Sequence, residues 1–185
     1  MSARRSQPIV PGRPGSGEYA PYYADYIALV PEEDILAVLE SQVEGMARLF
    51  AGRRDDADAF CYAPGKWTIA EVLGHVIDVE RVDAYRALRI ARNDKTPLPG
   101  FEQDDYVHYG PHARCRVSDL LGEFRHVRLA NVALFRALDA GAWMRRGVAN
   151  NHEVTVRALA YVLAGHARHH MRILERKYFP AIQAR

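Results

Sequence analysis

Residues 156–178 read VRALAYVLAGHARHHMRILERKY, and this stretch decides the fold. Along it, one set of residues recurs at steps of three and four, which is the repeat of a single helix face. The set consists of Val156, Leu159, Leu163, His166, His170 and Ile173. Thr155 precedes the segment as an N-cap residue, and Pro180 follows it. We therefore predict a helix over residues 156–178 whose inward face carries two histidines.

Three further segments show the same helical repeat. They cover residues 31–50, 69–92 and 119–138. The second of them follows Thr68 and Glu71, whose spacing is that of a capping box. Strand signals are weak, because no stretch alternates cleanly between apolar and polar residues. Four helices of about 20 residues each predict an all-α four-helix bundle in a single domain.

The composition is that of an ordinary globular protein. Of 185 residues, 49% are hydrophobic and 26% are charged, which is enough apolar material for one domain core. The net charge of +2 does not predict binding to specific nucleic acid or to a membrane surface. Cys61 and Cys115 lie far apart, which favours a reducing, cytoplasmic location over a disulfide scaffold. We expect residues 1–25 to form a flexible N-terminal arm and residues 26–185 to form the four-helix metal-binding domain.

Three histidines are expected to meet inside this bundle. His166 and His170 are four residues apart, so their rings lie one turn apart on the same helix face. His75 is flanked by valines at helical spacing and therefore also points inward. Three neutral imidazoles suit one divalent metal ion and leave a coordination position open, as in catalytic sites. The alternative is a group of core histidines held by hydrogen bonds, in which both nitrogens of each ring need partners.

The remaining histidines are weaker candidates for this site. His169 lies beside the inward face of its helix and is expected to flank the cluster. His108 and His112 are also four residues apart, but a Gly-Pro pair between them prevents a common helix. We expect these two to be loop residues. His126 and His152 are predicted to lie on the surface.

Charged residues of the second helix have two predicted roles. Asp78 follows His75 by nearly one turn, and its carboxylate is a candidate partner that orients the imidazole ring. A solvated helix carboxylate is the alternative. Arg86, Arg89 and Arg92 share the helix with acidic residues, which predicts a solvated, salt-bridged surface rather than a DNA-binding face.

The connection between the second and third helices is long. Residues 94–117 contain several prolines and glycines together with Phe101, Tyr106 and Tyr109. Connections of this length inside a compact domain are usually functional or disordered. Because of the aromatic residues, we expect an ordered loop that covers the open coordination position with an apolar wall.

The sequence also resembles a known family. PGKWTI at residues 64–69, LGH at 73–75 and GHARHH at 165–170 are similar to motifs of the DinB-like superfamily of metalloenzymes. This superfamily is related to the bacillithiol and mycothiol S-transferases. The resemblance covers about residues 31–180 and implies an up-down-down-up bundle that often forms a homodimer.

The resemblance also implies a function. Its ligand set corresponds to His75, His166 and His170, which hold one zinc, nickel or iron ion. It implies an enzyme with a small-molecule substrate, in which the ion activates a low-molecular-weight thiol (S-transferase type) or water (hydrolase type). A non-enzymatic, stress-related protein that binds a metal or a small ligand on the same bundle is the alternative.

Overall fold

A computed structural model describes residues 11–52 and 58–183 of the chain. In chain order, the helices are α1 (Ala24–Ala28), α2 (Ile35–Phe50), α3 (Ile69–Ala91), α4 (Gln103–Tyr109), α5 (Val117–Arg136), α6 (Ala140–Met144), α7 (Val156–Ile173) and α8 (Phe179–Gln183). Strands β1 (Arg146–Ala149) and β2 (His152–Thr155) pair as an antiparallel hairpin directly before α7. The four long helices form the bundle, which confirms the predicted all-α fold. The hairpin is an addition that the sequence pattern did not predict.

Local hydrogen bonds explain where the helices begin. The Thr68 hydroxyl accepts a bond from the Glu71 amide at 3.2 Å, and the Glu71 carboxylate accepts one from the Thr68 amide at 2.7 Å. This is the predicted capping box at the start of α3. The Asp34 carboxylate accepts a bond from the Ala37 amide, so α2 begins four residues after the predicted start at Pro31.

The C-terminal helix is interrupted where a continuous helix was predicted. α7 ends at Ile173, and the chain widens into a π turn over Leu174–Tyr178 before α8. Pro180 does not stop the helix, because it occupies the first turn of α8, where its missing N–H has no intrahelical partner. Tyr178, the last residue of this turn, is buried in the bundle interior.

The long helices have the up-down-down-up arrangement. α2 and α3 each pack against both α5 and α7, so the order around the bundle is α2, α5, α3, α7. Ion pairs of Glu44 with Arg125 and of Glu40 with Arg136 show that α2 and α5 are antiparallel. The N-terminal halves of α3 and α5 share one end of the core and their C-terminal halves share the other, so these two helices are parallel. A long connection, which contains α4, is needed to join them.

The segment before α1 lies against the bundle. Glu18 is only 7% exposed, and its carboxylate accepts hydrogen bonds from Thr155 at 2.9 Å and from Arg157 at 2.7 Å. Glu18 of the predicted arm is therefore packed at the start of α7, whereas residues 1–10 lie outside the described part. The domain boundary at residue 26 stays a prediction. No helix within residues 11–52 and 58–183 is long and apolar enough to span a membrane.

Candidate metal centre

Three imidazole rings from two helices meet in the bundle core. α3 contributes His75, and α7 contributes His166 and His170. The Nε2 atom of His166 lies 3.0 Å from Nε2 of His75 and 3.1 Å from Nε2 of His170. All three side chains are buried, and their candidate ligand atoms lie within 4.8 Å of one another. Within the described part of the chain, this is the group of residues that could hold a metal ion.

A glycine directly precedes two of these histidines, and each glycine permits a close approach. A Cβ atom on Gly165 would lie 2.0 Å from the backbone oxygen of Tyr26, so this position lets α1 lie against α7. The Tyr26 ring then packs edge-on against the His166 ring, with 5.4 Å between the centroids. A Cβ atom on Gly74 would lie 2.0 Å from the ring of His112, which covers α3 at this point.

Burial keeps the three imidazoles neutral. Desolvation lowers the pKa of His75 to about 4, with a smaller contribution from the charges of neighbouring histidines. Desolvation and the nearby imidazoles also hold the pKa values of His166 and His170 well below the ordinary value. Each ring therefore carries one free lone pair at neutral pH, which is the form that binds metals.

Hydrogen bonding alone does not satisfy this cluster. Nε2 of His166 has a single lone pair, so it cannot accept good hydrogen bonds from both His75 and His170. In addition, Nδ1 of His75 and Nδ1 of His170 have no hydrogen-bond partner in the described part of the chain. A divalent ion would take one lone pair from each ring and would remove the crowding of the three Nε2 atoms. The three residues therefore fit the metal set that the sequence predicts.

Asp78 lies near the cluster but does not contact it. Its carboxylate is 3.8 Å from Nδ1 of His112 and 3.9 Å from the guanidinium of Arg81. Burial raises the pKa of this carboxyl group, although the charge of His112 opposes the shift. No bond joins Asp78 to His75 among the described side chains, and its role as the partner of that ring stays a prediction.

The other histidines occupy different environments. His126 and His152 are exposed, as expected for surface positions. His108 is exposed too, but it lies on α4 and not in a loop, which corrects the prediction for this residue. His169 is half-buried beside the cluster, and its ring centroid lies 5.1 Å from that of His170. His112 is buried and its ring packs against α3 at Gly74, although a loop position was expected for it.

Two cavities adjoin the cluster, and each contacts different histidines. The first, here called the aromatic cavity, has a volume of about 350 Å³. Its lining comprises Tyr62, Gly65, Lys66, Trp67, Val72, Asp104, His170, Ile173 and Tyr178. The second, here called the ion-pair cavity, has a volume of about 190 Å³. Its lining comprises Tyr22, Tyr23, Tyr26, His75, Val79, Asp83, Arg86, Phe101, Gln103, Asn150, Val162 and His166.

The long connection contributes to both cavities. Gln103 lines the ion-pair cavity and Asp104 lines the aromatic cavity, so the start of α4 lies between the two. Phe101 forms part of the wall of the ion-pair cavity. The ring of Tyr106 packs against the ring of Phe101, with 4.8 Å between the centroids. Tyr109 is 83% exposed and takes no part in the wall, which corrects the prediction for this residue.

The π turn contributes Tyr178 to the lining of the aromatic cavity. The Tyr178 hydroxyl donates a hydrogen bond to the backbone oxygen of Trp67 at 2.7 Å. The centroid of the Trp67 ring lies 4.9 Å from that of the His75 ring, so this wall contacts the histidine cluster. π turns are frequent at functional sites, because the extra residue redirects a side chain.

Asp83 and Arg86 were not recognised as site residues from the sequence. The prediction of a solvated surface is wrong for Arg86, which is only 3% exposed. Its Nη1 donates to Asp83 at 2.8 Å and its Nη2 donates to the backbone oxygen of Pro99 at 2.6 Å. Burial raises the pKa of Asp83 to about 6, although the adjacent guanidinium opposes this shift. Their spacing of eight and eleven residues from His75 is the signal that could have placed them on its helix face.

Comparisons with known proteins agree with this architecture. A family model of the DinB superfamily matches residues 24–174. No curated protein matches the sequence. YfiT from Bacillus subtilis, described as a probable metal-dependent hydrolase with an unusual four-helix bundle topology, superimposes with a TM-score of 0.67 at 14% identity, over 97% of this chain and 96% of that one. The mycothiol-dependent maleylpyruvate isomerase superimposes with a TM-score of 0.62 at 13% identity, over 79% of this chain and 61% of that one.

Proposed function

Because the chain belongs to the DinB superfamily, we propose that it is a metal-dependent enzyme whose His75, His166 and His170 bind one divalent ion. The observation that carries this proposal is the convergence of three buried, neutral imidazoles between two cavities. Zinc, nickel and iron(II) are the candidate ions, since imidazole suits all three. A bound ion supplies Lewis acidity, which lowers the pKa of a thiol or of a water molecule.

A low-molecular-weight thiol is the nucleophile that we propose. The aromatic cavity, with about 350 Å³ beside His170, is much larger than the roughly 30 Å³ that one water molecule occupies. Trp67 and Tyr178 give it aromatic walls against which a bound thiol can pack, and Lys66 and Asp104 place one cation and one carboxylate in its lining. The reaction would then be transfer of the thiol to a small electrophile.

Hydrolysis is the second candidate reaction. The described activity of YfiT favours it, because that protein has the same bundle over nearly its whole length. In this case water replaces the thiol beside the histidines, and an ester or amide is the substrate. The dependence of turnover on added thiol distinguishes the two reactions.

Metal analysis and turnover test the proposal together. Protein purified without a histidine tag is expected to hold one equivalent of metal and to convert thiol–electrophile pairs. Chelation should abolish turnover, and added zinc, nickel or iron(II) should restore it. The His126→Ala variant, altered at an exposed histidine, serves as the matched control for substitutions of the three cluster histidines. A metal-replete protein that converts neither thiol–electrophile pairs nor esters and amides would instead favour the non-enzymatic binding protein.

Assembly and location are further parts of this proposal. We propose a cytoplasmic homodimer, on the grounds of the family resemblance and of two cysteines that are unpaired in the structure. Sedimentation equilibrium of the full chain tests the dimer. A single monomeric species at micromolar concentration would contradict it.

A further inference from the structure

The ion-pair cavity has two ends. Asp83 and Arg86 line one end, and the histidine cluster lines the other. His75, Val79, Asp83 and Arg86 all line it and share one face of α3. Asp83 lies eight residues beyond His75, which is about 12 Å along a helix. A small molecule with its reacting end at the histidines can therefore place its other end at the ion pair.

Both members of the pair have unused hydrogen-bonding capacity. A guanidinium has five N–H donors, and among described residues Arg86 donates to Asp83 and to Pro99. A carboxylate accepts about four hydrogen bonds, and within the described part of the chain Asp83 accepts one, from Arg86. Both side chains line the cavity and are at most 3% exposed, so bulk water competes little for the polar atoms that face it.

The charge of this end selects its ligand. The guanidinium and the carboxylate together carry no net charge, and the other polar groups in the lining are uncharged side chains such as Gln103 and Asn150. A carboxylate ligand would be repelled by Asp83, and an ammonium ligand would be repelled by Arg86. An amide is repelled by neither, because its oxygen accepts from the guanidinium while its N–H donates to the carboxylate.

We propose that Asp83 and Arg86 bind an uncharged amide group of the substrate, at the end of the ion-pair cavity away from the histidines. This assignment rests on the proposed function, since it takes the histidine cluster as the reacting end. It makes the pair a specificity-determining element rather than a catalytic one. The Pro99 contact of Arg86 joins this element to the loop that forms the cavity wall.

Three alcohols with the same carbon chain test the proposal, because the proposed thiol occupies the aromatic cavity instead. Hydroxyhexanamide, hydroxyhexanoate and aminohexanol are titrated into the zinc-loaded full chain by calorimetry. We expect the amide to bind about tenfold or more tightly than either charged compound. Asp83→Asn leaves a cationic site and should make the carboxylate the best ligand. Arg86→Gln leaves an anionic site and should make the ammonium compound the best ligand.

Matched controls separate this effect from a general loss of structure. Glu44→Gln and Arg125→Gln alter an exposed ion pair and should keep the wild-type order of affinities. Val79→Phe fills the cavity between the histidines and the ion pair without removing a charge. It should weaken all three compounds. Wild-type affinities in Val79→Phe, or the same order of affinities in Asp83→Asn and Arg86→Gln, would overturn the proposal.

A second measurement does not depend on the metal. Saturation-transfer NMR of hexanamide, hexanoate and hexylammonium with metal-free protein should give the strongest signal for the amide, with the same reversals in Asp83→Asn and Arg86→Gln. If the protein binds no zinc but the preferred ligand still changes in the two variants, the proposed function is refuted and the ion-pair site is supported. Zinc binding with no reversal would overturn only the ion-pair site.

Discussion

Two buried polar groups lie next to each other in this bundle, and only one of them is satisfied. Arg128 on α5 is fully buried, and it donates to both carboxylate oxygens of Glu80, at 3.0 and 2.6 Å, and to Gln42 at 2.5 Å. Asn131 donates a further bond to Glu80 at 2.9 Å. The histidine cluster beside this network leaves two Nδ1 atoms without partners in the described residues and crowds three Nε2 atoms together.

The difference indicates that the two groups serve different purposes. A satisfied network fixes the positions of the helices that contribute to it, here α2, α3 and α5. An unsatisfied buried group in a native protein requires an explanation, and an absent ion or ligand is one. The network should therefore contribute to folding, whereas the cluster should contribute mainly to binding. Each prediction below tests one side of this contrast.

The largest expected effect is a loss of stability when the hydrogen-bond network around Arg128 and Glu80 is disrupted. Arg128→Met leaves the Glu80 carboxylate buried without a countercharge, which should lower the free energy of unfolding by about 3–5 kcal/mol. Urea unfolding followed by circular dichroism measures this. Arg125→Met, which removes an exposed partner of Glu44, should cost less than about 1 kcal/mol. Equal costs for the two variants would refute the structural role of the network.

The next effect is on metal binding. His166→Ala or His170→Ala should lower bound metal below half an equivalent, because two imidazoles hold an ion weakly. Metal in hundredfold excess over its dissociation constant should stabilise the wild type by about 2.7 kcal/mol, and the variants should lose this gain. His126→Ala, altered at an exposed histidine of α5, is the matched control. Full metal occupancy in a His75→Ala, His166→Ala double variant would contradict the ligand assignment.

A smaller effect is expected from pH on the metal-free protein. An unfolded histidine binds a proton near pH ~6.5, whereas folded His75 has a pKa of about 4. Between these values the unfolded state binds more protons, so the free energy of unfolding falls as the pH falls. His75 alone should account for about 1.6 kcal/mol between pH ~6.5 and pH ~5.

Urea titrations across this range measure the slope. His75→Leu should make the slope shallower, with His166 and His170 still contributing to it, whereas His126→Leu, at an exposed position, should leave the slope unchanged. An equal slope in His75→Leu and in the wild type would show that His75 is not held neutral by the fold.

The histidine cluster could be predicted from the sequence because its information is local. His166 and His170 lie on one helix at a spacing that puts them on one face, and His75 lies among valines that mark the inward face of α3. The capping box at Thr68 and Glu71 is local too, and it is present as predicted. The family motifs added the arrangement of the helices, which periodicity alone does not give.

The network and the ion pair could not be predicted in the same way. Gln42, Glu80 and Arg128 come from three helices, and nothing in their sequence neighbourhoods distinguishes them from surface residues. Arg86 was assigned to a solvated face for the same reason. The hairpin was missed because each of its strands has four residues, too few for a clear alternation. For the network, contacts between residues that are distant in sequence decide which polar side chains are buried.

The smallest expected effect concerns Asp78, and it sharpens the contrast between satisfied and unsatisfied groups. Removing a carboxylate that directly orients a ligating histidine typically costs about 10- to 100-fold in metal affinity. Asp78 lies near His112 and Arg81 rather than on the His75 ring, so Asp78→Asn should weaken zinc binding by less than tenfold. Competition with a chromogenic chelator measures the change, with Glu44→Gln as a control at an exposed carboxylate. A loss of tenfold or more would mean that Asp78 does orient His75, through a group that lies between them. The cluster would then be less unsatisfied than its direct hydrogen bonds suggest, and Asp78 would have the orienting role that its position one turn from His75 predicts.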